Sequence, residues 1–468
     1  MHSNHVTRFI LVLSCLSLYL IGLIGHVADA QEETDEANSA RIAELIKQLD
    51  ADGFQDRERA EQDLRRIGKK AVPGLEDALG HDSPEVRIRA KAILRAVARS
   101  IFIVENVEHR DLNRAVSVAI SPDSKFLYTA AYAANGVGVF AVDEQTGKLT
   151  HQQTVTDRDH SGAVCVRISR DGTLTAATCF RAKTVILYRR DVETGRLNKL
   201  AVFRGSMMSG PLVWPVECGF STDGTHLLLL DPYRKDPATG IKTGSLLVLK
   251  TDGGKLECVQ ALFGKEAAKD GGKDLCFIDG RGIDFHPNGG SLYVAASDSR
   301  CVVALDWDAK AGKATIKQIV RDQQDGVTGL DGVMSLTCSN DGKFLYTSSG
   351  RFRGDSAVGV FSIDKGGKLS RVQELIAGKD DIGNFLGGNE LTLSGDGKNL
   401  YVTGTVSGTL AGFGRDPKTG KLTFIETVPL GQEKELGPAG IAINKDGTFV
   451  YVAVESAGKV VIFKRPKE

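Results

Sequence analysis

The chain has 468 residues, of which 41% are hydrophobic, and carries 59 Lys+Arg against 59 Asp+Glu. That length supports large buried cores and about two to four domains. A net charge of zero leaves no electrostatic footprint for nucleic acid or an anionic membrane surface, so neither is expected as a partner.

His2, His5 and Arg8 precede an apolar run from Phe9 to Val27, which ends in Ala28-Asp29-Ala30 ahead of Gln31-Glu32-Glu33. A basic start, an apolar middle and small residues flanking a cut after Ala30 predict a signal peptide over 1–30. The protein is then exported, periplasmic or extracellular, with no membrane span left after cleavage. The alternative is an uncleaved anchor, because the run is almost long enough to cross a bilayer. Residues 31–38 read as a polar linker.

Over 39–99, Ile42, Leu45, Ile46 and Leu49 fall at helical spacing, as do Ala60, Leu64 and Ile67, then Ile88, Ala92 and Val97. Ser83 and Pro84 read as the cap and first position of a helix. Arg59-Ala60…Leu64 and Arg89-Ala90…Leu94 align 30 residues apart, so this segment resembles a small α-helical HEAT-like module.

From residue 101 onward one unit repeats. Alternating apolar runs flank turns at Ser121-Pro-Asp123, Ser169-Arg-Asp171, Ser221-Thr-Asp223, His286-Pro-Asn288, Ser339-Asn-Asp341, Ser394-Gly-Asp396 and Asn444-Lys-Asp446, spaced 48 to 65 residues apart. A sheet of this size cannot bury its own faces and must stack on its neighbours, so the repeats predict an all-β seven-bladed β-propeller over 101–468. His286, standing where most other turns have Ser, is expected to cap its turn. A fourth strand follows each of the first six units, but the last unit has none before Pro466, which opposes further pairing. The missing strand is expected at 101–107, where Ile101-Phe-Ile-Val-Glu-Asn-Val107 matches Leu422-Thr-Phe-Ile-Glu-Thr-Val428. Pairing it with 459–463 closes the ring and removes the open edges.

The segments Phe126-Leu-Tyr128, Ser291-Leu-Tyr-Val294, Phe344-Leu-Tyr346, Asn399-Leu-Tyr-Val402 and Phe449-Val-Tyr-Val452 are similar to Tyr-Val-Thr-Asn repeats. With the Asp-x-x-Thr-Gly-x-Leu runs at 143–149, 191–197 and 416–422, they make residues 101–465 resemble the seven-bladed lactonase-type propellers. That family includes 6-phosphogluconolactonases, which open a sugar lactone with water. The resemblance implies a small-molecule lactone or carbohydrate ligand. It also implies functional Arg and His near the starts of inner strands. Arg281, in Gly280-Arg-Gly-Ile-Asp-Phe-His286, and Arg353, in Arg353-Gly-Asp-Ser356, occupy family positions, and both segments lack the family's His.

Inner strands surround a propeller's axis, and their starts line one mouth of it. Residues there are mostly small, except Glu217, Glu390, Arg167 and Asp284, each of which costs several kcal/mol when buried unless paired or solvated. With Arg281 and His160 they are candidates for a polar axial pocket: a carboxylate or His160 as general base, Arg281 for the oxyanion, and Arg167, Asp284 and Arg353 for binding. The same charges serve equally as inter-blade ion pairs, and His160 as an exposed loop residue. An insertion at 265–274 is a second place for function, or a solvated loop. Seven cysteines follow residue 30, mostly in apolar strand contexts, and read as buried thiols. No Cys-x-x-Cys, His-Glu-x-x-His or calcium-loop spacing occurs, so no cofactor or metal is expected. Three functions fit: a lactone or ester hydrolase, a non-catalytic propeller binding a protein or glycan at its rim, and a structural envelope protein.

Overall fold

The computed structural model describes residues 39–99, 101–235, 240, 243–264, 276–350, 355–379, 382–430 and 437–465. The expected signal peptide, linker and 265–274 insertion lie outside them. The chain divides into two compact units, one ending at Ser100 and one from Ile101 to Glu468.

The first unit is helical over 39–48, Phe54–Ile67, Val72–Asp77 and Pro84–Arg99. Ile42, Leu45, Leu49, Leu64, Leu75, Val86, Ala90 and Ile93 form its core. The last helix buries Val86, Ala90 and Ile93, whereas Ile88 is 66% exposed, so the core stripe runs one face away from the expected Ile88-Ala92 stripe. Arg89 ties the helices together, its guanidinium reaching Glu58 at 2.8 Å, Glu61 at 2.7 Å and Glu85 at 2.7 Å.

The second unit is a seven-bladed β-propeller of four-stranded antiparallel sheets. Its inner strands are Ala115–Ile120, Ala163–Ile168, Glu217–Phe220, Gly280–Phe285, Val333–Cys338, Gly388–Leu393 and Pro438–Ile443, here blades 1 to 7 in that order. Each inner strand packs against the next and the seventh against the first. Phe102–Glu108 pairs antiparallel with Lys459–Lys464 and supplies the outer strand of blade 7. Glu426 of blade 6 accepts a hydrogen bond from Ile101 N at 2.8 Å and holds the start of that strand.

Apolar side chains cluster between blades: Phe126, Tyr128 and Val139 of blade 1 with Val166, Ala177 and Tyr188 of blade 2, and likewise at the other six junctions. Fully burying one such side chain is worth roughly 1.5–3 kcal/mol. Room for this packing requires small residues on the axis, and a Cβ on Gly440 would lie 2.8 Å from Ser117 Cα of blade 1.

The two repeated sequence signatures meet in one contact. Tyr128 donates to Gly195 O at 2.7 Å, Tyr293 to Gly367 O at 3.0 Å, Tyr346 to Gly420 O at 3.0 Å and Tyr451 to Gly147 O at 3.2 Å, each reaching the following blade. Glycine is needed there twice over. Gly195 has φ +70°, and a Cβ on it would strike the Phe126 ring at 2.2 Å. The turn anchors are also alike: Ser121 Oγ, Ser339 Oγ and Ser394 Oγ accept from Phe126 N, Phe344 N and Asn399 N at 3.0, 3.0 and 2.9 Å. His286 caps its turn differently, with Nδ1 accepting from Asn288 N at 3.2 Å.

Candidate functional site

Strand alternation and antiparallel pairing bring the starts of the inner strands and the ends of the second strands to one face. There they line a cavity of about 680 Å³ bordered by Arg167, Glu217, Arg281, Asp284 and Glu390. That volume suits a small molecule.

Arg167 of blade 2 is the centre. Its Nη2 lies 2.9 Å from Glu217 Oε2 of blade 3 and 2.9 Å from Glu390 Oε1 of blade 6, while Nη1 donates to Ser117 Oγ at 3.0 Å and Val166 O at 3.0 Å. Blades 2 and 6 stand three positions apart in a ring of seven, so this bridge crosses the axis. Glu217 Oε1 accepts from Cys218 N at 3.0 Å and from the Cys165 thiol at 3.1 Å. Glu390 Oε2 accepts from Ile441 N at 2.9 Å. Two carboxylates therefore share one guanidinium.

Burial pushes the Glu217 carboxyl well above the usual carboxylate range; Arg167 opposes the rise, while Cys165 and Glu390 add to it. Asp284 borders the same cavity but bonds elsewhere, accepting from Phe285 N at 2.8 Å, Cys338 N at 2.8 Å and Thr337 Oγ1 at 3.2 Å. Burial raises its carboxyl against those three bonds. Arg281 donates from Nε to Asp279 at 2.6 Å, and Tyr233 holds the same carboxylate at 3.1 Å.

His160 is not exposed and does not border the cavity. It is fully buried, with Nε2 at 2.5 Å from the Tyr188 hydroxyl and Nδ1 at 2.7 Å from Asp157, closing a capping box on the turn Arg158–His160. The Asp157-x-x-His160 spacing carries that cap in the sequence. Burial pulls the imidazole below its ordinary pKa. Arg353 lies outside the described residues.

The sequence reading missed an aromatic arc on the cavity wall. Tyr132, Phe180 and Trp214 border the cavity. Phe180 and Trp214 have ring centroids 4.5 Å apart, Trp214 and Tyr233 4.5 Å, and Tyr132 and Phe180 stack at 6.1 Å. Arg181 lies over the Tyr132 ring at 4.2 Å. Tyr132 and Phe180 each directly follow the second strand of their blade, where blades 3 to 7 have Pro232, Ser297, Gly350, Thr405 and Glu455. Aligning the repeats at that position would have revealed them.

A family model described as Lactonase, 7-bladed beta-propeller matches residues 89–206, 279–380 and 355–468. The uncharacterized protein YwcC of Lactococcus lactis is 28% identical over 144 residues, 31% of this chain and 40% of that protein. The 6-phosphogluconolactonase of Bacillus subtilis is 27% identical over 146 residues, 31% of this chain and 39% of that one. The chain thus spans about two fifths of each curated relative. The periplasmic gluconolactonase PpgL of Pseudomonas aeruginosa superposes with TM-score 0.56 at 20% identity, covering 75% of this chain and 92% of that one, a likeness of fold.

Proposed function

This chain belongs to the seven-bladed β-propeller lactonase family, and on that premise we propose that it is an exported hydrolase that opens a sugar lactone in the axial cavity. The observation that carries the reading is the shared guanidinium. Two carboxylates on Arg167 leave one negative charge in excess, which raises the proton affinity of Glu217, the less exposed of the two at 11% against 19%, and its ionised form is the base. A carboxyl tuned upward is a competent general base near neutral pH. In the proposed step Glu217 takes a proton from water as the water oxygen bonds to the lactone carbonyl carbon. Arg281 faces the resulting oxyanion, because Arg167 is already engaged in four bonds. Collapse breaks the ring C–O bond, and the departing alkoxide recovers the proton from Glu217, giving a hydroxy acid. Asp284 lines the wall, and the aromatic arc offers flat apolar surface to the C–H face of a sugar ring.

The test is hydrolysis of a sugar δ-lactone near neutral pH by the purified chain. Glu217→Gln and Arg281→Ala are each expected to lose about a hundredfold or more in turnover, and Trp214→Ala to raise KM. Wild-type turnover no faster than buffer overturns the reading. A second reading, binding of a protein or glycan at the rim, draws on the exposed Met207 and Met208 and on Trp214 of the cavity wall, which is 37% exposed.

A further inference from the structure

Away from the axial cavity, the connector between the ring-closing strand Phe102–Glu108 and blade 1 carries a second chemical cluster. His109, Asp111 and His151 each bring one donor atom to within 4.8 Å of the other two. His151 Nε2 is 2.9 Å and His109 Nδ1 3.7 Å from Asp111 Oδ2, and the two imidazoles stack with centroids 4.3 Å apart. Thr154 Oγ1 also donates to Asp111 Oδ2. Asp111 is only 6% exposed, while the histidines, at 29% and 31%, leave an open edge.

The internal repeat shows what this position accommodates. Blade 2 has Asp157-Arg-Asp159 where blade 1 has His109-Arg-Asp111, and in both the first side chain accepts from the third residue's N–H. Two residues into the outer strand, Lys199 of blade 2 occupies the place of His151. The Lys199 ammonium reaches both Asp157 and, at 3.2 Å, Asp159. Blade 2 thus fills the spot with its own cation. Blade 1 replaces one carboxylate and the ammonium with imidazoles, exchanging a built-in cation for nitrogen donors.

We propose that His109, Asp111 and His151 bind a divalent first-row cation of the zinc class, clasping the ring-closing connector to the outer strand of blade 1. Two imidazole nitrogens and a carboxylate form a common three-residue set for such ions, with water in the remaining position. Bonds of ~2.0–2.2 Å at tetrahedral angles put donors roughly 3.3–3.5 Å apart, a spacing this set reaches when the two half-exposed imidazoles rotate out of their stack. The ion takes the place of three contacts: the Asp111 N–H on His109 Nδ1 at 3.2 Å, and those of His151 Nε2 with Asp111 Oδ2 at 2.9 Å and with Thr154 Oγ1 at 3.1 Å. The set escapes spacing motifs because His109-x-Asp111 is too short to be distinctive and His151 comes from another strand.

The untagged full chain, stripped with chelator, is titrated with zinc chloride, and binding and melting temperature are followed together. One equivalent should bind and raise the melting temperature. His109→Ala and His151→Ala should weaken binding by about a hundredfold or more, and His81→Ala should not. Should an alanine variant fail to fold, His151→Lys reproduces the lysine of blade 2. It is expected to fold, to bind no zinc and to lose the zinc-dependent shift. No uptake by the unsubstituted chain, or uptake that survives His151→Lys, overturns the proposal.

Discussion

Glu426 shows how a single residue couples this fold to pH. Burial pushes its carboxyl from 4.5 up to about 8, against the bond it receives from Ile101 N. The folded chain therefore holds a proton that the unfolded chain releases above about 4.5, so this group's contribution is full at low pH and falls away as pH rises through about 8. Glu426→Gln keeps a neutral side chain at every pH and should flatten that decline in a melting-temperature series. An unchanged slope would assign the effect to other groups. Glu217 has the same sign, so Glu217→Gln should improve stability toward alkaline pH while abolishing turnover. That opposition separates a base that serves chemistry from an ion pair that serves only the fold.

At the scale of the element, the blades are held by few but repeated devices. Tyr346 is fully buried, donates to Gly420 O and accepts from Arg415 Nε at 2.6 Å. Tyr346→Phe removes both bonds and leaves two buried partners unsatisfied, which should cost about 1–3 kcal/mol in urea unfolding. A loss near zero would mean that Arg415 finds another acceptor. The closing strand is the other test. Deleting 31–99 should leave a folded propeller, because unit two has its own cores. Extending the deletion through Glu108 bares the Lys459–Lys464 edge and removes the Ile101–Glu426 bond, so melting temperature and solubility should both drop. Equal behaviour of the two truncations would show that blade 7 is stable with three strands.

For the whole molecule, the ring has no covalent fastening among its described residues. Cys165, Cys179, Cys218, Cys258, Cys276, Cys301 and Cys338 are all buried, and none is joined in a disulfide. The sulfurs of Cys165 and Cys218, on neighbouring inner strands, stand 3.9 Å apart. All seven thiols should titrate after denaturation without reductant, and none rapidly before it; disulfides found in their place would mean that an oxidising compartment had remodelled these strands. Among the described residues no helix is long and apolar enough to cross a membrane.

Local order of residues determined the blades. Period-two alternation, Asp-Gly turns and the Tyr and Thr-Gly signatures act over a few residues or between adjacent repeats, so seven sheets could be counted from the chain. The same periodicity marked Glu217, Glu390, Arg167 and Asp284 as charges on inner strands that otherwise carry small residues. Tertiary structure decided their partners. Arg167 meets residues 50 and 223 positions away, a convergence set by ring closure, and Asp284 turns to the backbone of blade 5. His160 resembled a pocket residue by position, but one extra contact, the Tyr188 hydroxyl 28 residues on, draws it into the core. The aromatic arc stayed hidden because its rings come from three blades, and only their stacking makes them one surface. Sequence settles what is repeated locally, whereas a site on the axis is made where unlike repeats face one another across the ring.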